Sequence, residues 1–376
     1  MKNVLEDFRK TTQYSLFKMF GLVTKIFLTV CICVALFYLS TVVTIWPENY
    51  FWVSRKNAVM PVWVKGNIES GVFIIYNHGG PGSSGTLESI IEVTPGSGKI
   101  GHASPLVILE EEYAMVYWDQ RHSGLSKGNV DANESVPEDF GEDLAVVIDE
   151  LNKRYQVKKL FLIGASWGHT VAVSYMTTGN YWEQNQSNIA GYIGYKGNHE
   201  WNLPYRISRT RVLTYAENEI REKRNMEYWW TAQDFYANRE TARNLSEIRT
   251  HQGYIEEAMG SSISYFDRAY YSVKASIFSP FNGWQHASNN IKTNNAKKFL
   301  NLVATTSIGE HIHRIAVPTL LIYGKHDLIA PVEVGEYIYH NIETKKQDKT
   351  LLILNDSRHG VEEPDVRQFQ QSIVDF

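Results

Sequence analysis

Cysteine is almost absent from this chain of 376 residues, which has only Cys31 and Cys33. Both lie in one apolar stretch near the N-terminus, so the rest of the chain has no thiol for a disulfide, a zinc site or a cysteine nucleophile. Basic charge is not in excess either, because 37 Lys and Arg against 41 Asp and Glu give a formal net charge of -4. The chain therefore has no basic field to hold nucleic acid, and we expect no such partner.

One long run without charge lies at residues 26–46, with the 21-residue sequence IFLTVCICVALFYLSTVVTIW. About 20 apolar residues cross a bilayer as a helix, so we predict a single transmembrane anchor that binds the chain to a lipid bilayer. A buried core helix would show a polar face, which the run lacks, and a cleaved secretory signal is the remaining alternative. Lys and Arg are more frequent before the run than directly after it, which predicts a cytoplasmic segment at residues 1–25 and a large domain outside the cytoplasm.

After the anchor, apolar β-rich runs alternate with helical patterns, which is typical of a mostly parallel sheet flanked by helices. The predicted strands are Pro61–Lys65, Val72–Asn77, Ala114–Trp118, Lys159–Gly164, Ala190–Tyr195, Thr319–Tyr323 and Thr350–Leu354. A helix is predicted at Glu138–Arg154. Residues 197–315 lack an apolar strand, so we predict a helical cap inserted between two parts of one core, residues 47–196 and 316–376.

The strongest local signal is GASWG at residues 164–168, which follows a predicted strand and precedes an apolar helical segment. In this setting G-x-S-x-G predicts a nucleophile elbow, a sharp turn that displays a serine hydroxyl at the carboxyl end of a sheet. Side chains at the flanking positions would collide there, which explains the glycines. Ser166 is therefore the predicted nucleophile.

A second glycine-rich motif, HGGPG at residues 78–82, follows the predicted strand Val72–Asn77. In chains with a nucleophile elbow, this loop and the residue after the nucleophile each donate a backbone N–H to the oxyanion of the tetrahedral intermediate. We predict Gly80 and Trp167 as the two donors. An ordinary Gly/Pro turn is the alternative, and the position of the motif ahead of the elbow favours the oxyanion hole.

A serine nucleophile requires a base, and the base requires an orienting acid, which follow an elbow in the order Asp or Glu, then His. Asp327 follows the predicted strand Thr319–Tyr323, and His359 follows the last predicted strand. Both lie at the carboxyl ends of strands, the edge where open α/β sheets collect their active sites. We predict that they complete a catalytic triad with Ser166.

Other histidines fit these roles less well. His326 directly precedes Asp327, and adjacent loop residues seldom point to the same place. His311 and His313 form a pair, but no acidic or thiol ligand cluster accompanies them. We therefore predict no metal site, and we expect no cofactor.

Five motifs in this order resemble the proline iminopeptidase family of α/β-hydrolases: HGGPG, WDQRHSGLS, GASWG, GKHD and RHG. The resemblance covers roughly residues 62–195 and 318–376. It implies an α/β-hydrolase fold and an aminopeptidase that releases an N-terminal residue, typically proline, from short peptides through an acyl-enzyme. His122 stands where that family usually has glycine, which puts the shape of this loop in question, and the cap lacks the family's W-x-x-W-E segment.

The resemblance also implies that glutamates of the cap fix the free amino group of the substrate. The sequence does not choose among the candidates, which are Glu200, Glu217, Glu219, Glu222, Glu227, Glu256 and Glu257.

Two other functions stay open. The same triad serves an esterase or amidase for a small apolar acyl or amide substrate, and a non-catalytic membrane receptor or scaffold can share the fold. An epoxide hydrolase or dehalogenase requires aspartate at the elbow, where this chain has Ser166.

Overall fold

A computed structural model of the chain describes residues 21–33, 48–89, 104–128, 130–131, 135–242, 244–260 and 307–376. The chain divides into two compact units, one ending at Ile45 and one beginning at Trp46. In the first unit, residues 21–33 form a helix. None of the helices described is both long and apolar enough to cross a membrane. The predicted anchor lies only partly in this helix, since residues 34–46 are outside the described part of the chain.

In the second unit, the described residues form an eight-stranded sheet in the order β1-β2-β4-β3-β5-β6-β7-β8. The strands are β1 Tyr50–Arg55, β2 Ala58–Gly66, β3 Val72–Asn77, β4 Ala114–Trp118, β5 Lys159–Ala165, β6 Gly191–Tyr195, β7 Thr319–Gly324 and β8 Lys349–Leu354. β2 pairs antiparallel with β1 and β4, and all other neighbours are parallel. The seven predicted strands are confirmed, and β1 is an addition.

Helices cover both faces of the sheet, which is why strands such as β4 are buried along their whole length. The helices are α1 Gly85–Glu88, α2 Pro137–Arg154, α3 Trp167–Thr177, α4 Trp182–Ser187, α5 Asn202–Arg221, α6 Met226–Tyr236, α7 Leu245–Ala258, α8 Val332–Asn341 and α9 Val366–Asp375. Short 3-10 turns lie at Ile68–Ser70, Pro105–Glu111, Gly309–Arg314, Lys346–Asp348 and Glu363–Asp365.

The predicted helix at residues 138–154 is confirmed as α2, which begins one residue earlier. Pro137 suits the first turn because its fixed φ is helical and its missing N–H would have no partner there. Acidic side chains lie in the first turn and basic ones in the last, as the helix dipole favours. Apolar side chains of α2 and α3 form a core with one face of the sheet, and α9 packs on the other.

Between β6 and β7 the described chain is helical, with α5, α6 and α7, which we call the cap helices. They share an apolar cluster of their own that includes Val212, Trp229, Tyr236 and Ile255. Ile329, in the loop after β7, packs against this cluster and connects it to the core. Residues 243 and 261–306 of the predicted cap lie outside the described part of the chain.

Candidate active site

The turn between β5 and α3 has the geometry of a nucleophile elbow. Ser166 lies between them with φ 53° and ψ -118°, a conformation that is strained for a residue with a side chain. A Cβ on Gly168 would lie 1.8 Å from the carbonyl oxygen of Asn77, and a Cβ on Gly164 would lie 2.7 Å from the Cα of His169. The close approach of β3, β5 and α3 therefore requires both glycines of the motif.

The structure brings the three predicted triad residues together. Nε2 of His359 lies 3.3 Å from Oγ of Ser166, and Nδ1 of His359 lies 2.7 Å from Oδ2 of Asp327. Asp327 is fully buried, and its Oδ1 accepts hydrogen bonds from the backbone N–H of Ile329 at 2.7 Å and of Ala330 at 3.0 Å. The carboxylate is thus held from one side while it orients the imidazole from the other.

Burial lowers the pKa of His359 below its usual value. The carboxylate of Asp327 opposes this shift, and the positive charge of Lys196 lowers the pKa further. The pKa of His359 is lowered on balance, which favours a neutral imidazole at pH 7. A neutral His359 can accept the proton of Ser166, as a general base must.

Both predicted oxyanion donors lie beside the nucleophile. Gly80, Ser166 and Trp167 line the same cavity. Gly80 has φ 122°, which a residue with a side chain rarely adopts, and a Cβ on Gly79 would lie 3.2 Å from the Cβ of Ser166. The glycines therefore let the backbone of this loop approach Ser166 closely.

Gln120, for which the sequence predicts no role, connects the two loops that carry the predicted oxyanion donors. Its Nε2 donates to the carbonyl oxygen of His78 at 2.9 Å, and its Oε1 accepts from the indole Nε1 of Trp167 at 3.0 Å. Its backbone N–H also donates to Nε2 of His78 at 3.2 Å. The only sequence signal for this role is the DQR motif itself.

Asp119, the residue before Gln120, is fully buried and fixes the start of α1. Its Oδ1 accepts from Oγ of Ser84 at 2.9 Å and from the backbone N–H of Thr86 at 3.0 Å. Its Oδ2 accepts from the backbone N–H of Leu125 at 2.8 Å. The carboxylate therefore joins the loop after β4 to the segment that follows the glycine-rich motif.

Arg121 and His122, which follow Gln120, also stabilise the loop after β4. Arg121 and Asp143 are fully buried and form a two-pronged ion pair, with Nε to Oδ2 at 2.6 Å and Nη2 to Oδ1 at 2.7 Å. His122 has φ 59°, so it adopts the left-handed conformation that glycine takes without steric cost. Its Nε2 lies 2.7 Å from Oγ of Ser135, and burial, with a contribution from Arg121, lowers its pKa to about 4. Histidine at this position therefore keeps the left-handed turn.

A cavity of about 540 Å³ opens above Ser166 and is bounded by the core loops and by α7. Glu200 and Glu256 are among its lining residues. The other glutamates considered from the sequence are not among the described residues that line it: Glu217, Glu219, Glu222, Glu227 and Glu257. Of the seven candidate glutamates of the cap, Glu200 and Glu256 are thus the two that line the cavity.

The remaining histidine candidates lie apart from these groups. His326 is exposed, whereas the neighbouring Asp327 is buried, so the two side chains do not share a site. His311 and His313 lie on a 3-10 turn. In the part of the chain that the structure describes, no group of three or more His, Cys, Asp or Glu side chains could hold a metal ion.

No protein-family model matches the chain. The probable aminopeptidase YbaC of Bacillus subtilis (strain 168) is 24% identical over 326 residues, which cover 83% of this chain and 91% of that protein. The proline iminopeptidase of Mycobacterium smegmatis matches with a TM-score of 0.57 and 14% identity, over 87% of this chain and 97% of that chain. This chain has the α/β-hydrolase fold. VinJ matches with the same TM-score of 0.57 and 16% identity, over 88% of this chain and 98% of that chain.

Proposed function

We propose that this protein is a serine hydrolase that acts as an aminopeptidase on short peptides. The observation that carries the proposal is the relay from Asp327 through His359 to Ser166, which ends in a cavity large enough for a short peptide. The similarity to the probable aminopeptidase of Bacillus subtilis supports the choice of substrate.

In the proposed reaction, Oγ of Ser166 attacks the first peptide carbonyl carbon while His359 accepts the hydroxyl proton. The backbone N–H groups of Gly80 and Trp167 donate to the resulting oxyanion. His359 then gives the proton to the leaving amine, the C–N bond breaks, and an acyl-enzyme remains. A water molecule, deprotonated by His359, attacks the acyl carbon and releases the N-terminal amino acid, and the proton returns to Ser166.

The cavity also has the groups that an N-terminal ammonium requires. Glu200 and Glu256 supply negative charge. Asn198 and His199 also line the cavity, and Oδ1 of Asn198 and Nδ1 of His199 are buried without a hydrogen-bond partner among the described residues. Burial lowers the pKa of His199 to about 4, so this side chain is neutral at pH 7 and does not repel a cation. We infer that this part of the cavity receives the amino terminus.

A substrate panel tests the proposal. We expect the wild-type protein to release dye from aminoacyl anilides, prolyl anilide included, and not from their N-acetylated forms, which lack the ammonium. Turnover of short acyl esters without any turnover of aminoacyl anilides would instead identify an esterase. Labelling by a fluorophosphonate separates an enzyme from a non-catalytic scaffold, since equal labelling of the wild type and of Ser166→Ala would exclude a nucleophilic role for Ser166.

We also propose that residues 26–46 anchor the protein in a membrane, with the catalytic domain outside the cytoplasm. Along the helix at residues 21–33, large apolar side chains are mostly exposed: Leu22, Val23, Ile26, Phe27, Leu28, Val30 and Ile32. Such a surface suits lipid rather than water. Fusions of enzyme reporters to the C-terminus test the topology, and a reporter that is active only in the cytoplasm would contradict it. Recovery of a chain that lacks the anchor would identify a cleaved signal.

A further inference from the structure

A second, smaller cavity adjoins the catalytic cavity, and the reaction proposed above does not use it. Three half-buried side chains line both cavities and form the boundary between them: Trp201, Gln252 and Ile329. Beyond this boundary, the second cavity is lined by side chains of α5, of α7 and of the segment that precedes α7. We call it the cap recess.

Hydrogen bonds connect the boundary of the cap recess to the catalytic residues. The backbone N–H of Ile329 donates to Oδ1 of Asp327 at 2.7 Å, and the carbonyl oxygen of Ile329 accepts from Nδ2 of Asn198 at 3.2 Å. The carbonyl oxygen of Asn198 in turn accepts from Oγ1 of Thr170 at 2.8 Å, on the helix that follows the nucleophile. The position of the recess relative to the triad is therefore fixed by the same contacts that hold Asp327.

The boundary of the recess lies next to the carboxylates proposed for the substrate ammonium. Glu200 directly precedes Trp201 in the chain, and Glu256 lies one helical turn after Gln252 on the same face of α7. In a peptide, the ammonium and the first side chain are attached to the same Cα atom. A substrate whose ammonium lies at these carboxylates therefore brings the first carbons of its side chain to the boundary of the recess.

The interior of the recess suits an apolar group. None of the described residues that line it is Asp, Glu, Lys or Arg. Oγ of Ser208 already donates to the carbonyl oxygen of Pro204 at 2.6 Å, and Nδ1 of His251 lies 2.6 Å from the hydroxyl of Tyr236. Burial lowers the pKa of His251 to about 3, so this side chain is neutral at pH 7. The recess would leave a charged side chain without a partner, whereas an apolar one would gain from leaving water.

The recess has a volume of about 20 Å³, against about 540 Å³ for the catalytic cavity. One water molecule requires roughly 10–15 Å³ on the same measure, so the recess has room for about one or two carbon atoms. Only the end of a side chain fits, and that side chain must be long enough to pass Trp201. The side chain of proline closes back onto its own nitrogen and cannot extend in this way.

We propose that the cap recess binds the end of the substrate's first side chain, so that the preferred substrates are short peptides which begin with an extended apolar residue rather than with proline. The proposal rests on the aminopeptidase function and names the class of N-terminal residue. The ammonium at Glu200 and Glu256 and the side-chain end beyond Trp201 hold the Cα atom between two contacts. The carbonyl carbon is thereby presented to Ser166 in one orientation.

The test uses alanyl, 2-aminobutyryl, norvalyl and norleucyl anilides, each one methylene longer than the last, together with prolyl anilide. For the wild type we expect kcat/KM to increase about fourfold for each methylene that enters the recess, and to be lower for prolyl than for norleucyl anilide. Ala242→Leu fills the recess, so its loss should grow with chain length. Ala258→Leu is the matched control, because both alanines are half-buried against the apolar cluster of the cap helices and only Ala242 lines the recess.

A second variant and the outcomes separate the two proposals. Ile248→Val removes one methyl group from the wall of the recess and should raise the ratio of norleucyl to norvalyl turnover, even if Ala242→Leu does not fold. Cleavage of all the anilides with equal kcat/KM, or equal effects of Ala242→Leu and Ala258→Leu, would overturn the role of the recess and leave the aminopeptidase function standing. If only esters are cleaved, both proposals fail. Fluorophosphonate labelling of each variant shows that Ser166 is still active.

Discussion

The indole of Trp167 donates a 3.0 Å hydrogen bond to the side-chain oxygen of Gln120, and the amide of Gln120 donates a 2.9 Å bond to the carbonyl of His78. One side chain thus spans the two loops from which the proposed oxyanion donors come. Both donors must be in place before the reaction, because preorganised donors stabilise the transition state. The relative position of the two loops depends on this bridge.

We therefore expect Gln120→Met to lower kcat by about tenfold or more, with a smaller change in KM, because an oxyanion donor acts in the transition state. Trp167→Phe removes the same hydrogen bond from the other side. Kinetics of the two single variants and the double variant form a double-mutant cycle. If the bridge acts as a unit, the double variant is about as slow as the slower single variant, whereas additive losses would contradict the role of Gln120.

Asp327→Asn tests the orientation of the base. The backbone N–H groups of Ile329 and Ala330 fix one oxygen of Asp327, so in the variant we expect the amide NH₂ to face Nδ1 of His359. The imidazole then adopts the wrong tautomer, and kcat should fall on the order of 10³–10⁴-fold, as for the same change in serine proteases. Steady-state assays with an aminoacyl anilide measure this loss. A loss of less than about tenfold would show that Asp327 is not the orienting acid.

Much of the fold follows from sequence because the inner strands are continuous apolar runs, which only a sheet covered on both faces accommodates. β1 was missed, since Tyr50–Arg55 mixes aromatic and polar residues and pairs only at the sheet edge. The elbow was predictable because Gly164 and Gly168 are required by backbone contacts and therefore leave a fixed pattern.

The rest of the site was not predictable because it depends on distant contacts. Gln120 lies 47 residues before its partner Trp167, and the DQR motif by itself does not identify that partner. Glu256 lines the cavity because of the position of α7, and Glu200 does so because of the course of the loop between β6 and α5. At His122 the sequence indicated a change that the structure does not have, because the left-handed turn persists without the glycine that is usual there.

The activity should depend on pH through His359. Only the neutral imidazole accepts the proton of Ser166, so kcat/KM falls as the pH decreases through the pKa of His359. Burial lowers this pKa, so the midpoint of the acid limb should lie below 6.5, the usual value for histidine. The cation of Lys196 also disfavours protonation, and Lys196→Met should therefore move the limb to higher pH. Profiles with an aminoacyl anilide measure both effects, and an unchanged midpoint in the variant would contradict the second.

The two glutamates are tested with a matched pair on one helix. Glu256 lines the cavity and its neighbour Glu257 does not, although both belong to α7. We expect Glu256→Gln to raise KM for aminoacyl anilides on the order of tenfold, because a charged partner of the ammonium is lost. Glu257→Gln should change KM little, and acyl esters without an amino group should not distinguish the variants. Equal effects of the two changes would remove Glu256 from the ammonium site.

Two glycine-to-alanine variants should change stability in opposite directions. A Cβ on Gly168 would lie 1.8 Å from the carbonyl oxygen of Asn77, so β3 or α3 must move, and we expect a loss of about 3 kcal/mol or more in the free energy of unfolding. Gly253 lies inside α7, and a Cβ there would meet no atom within 4 Å. Alanine should stabilise that helix by about 0.5–1 kcal/mol, because it restricts the unfolded chain. Urea unfolding measures both changes, and a Gly168→Ala protein as stable as the wild type would contradict the close packing of the elbow.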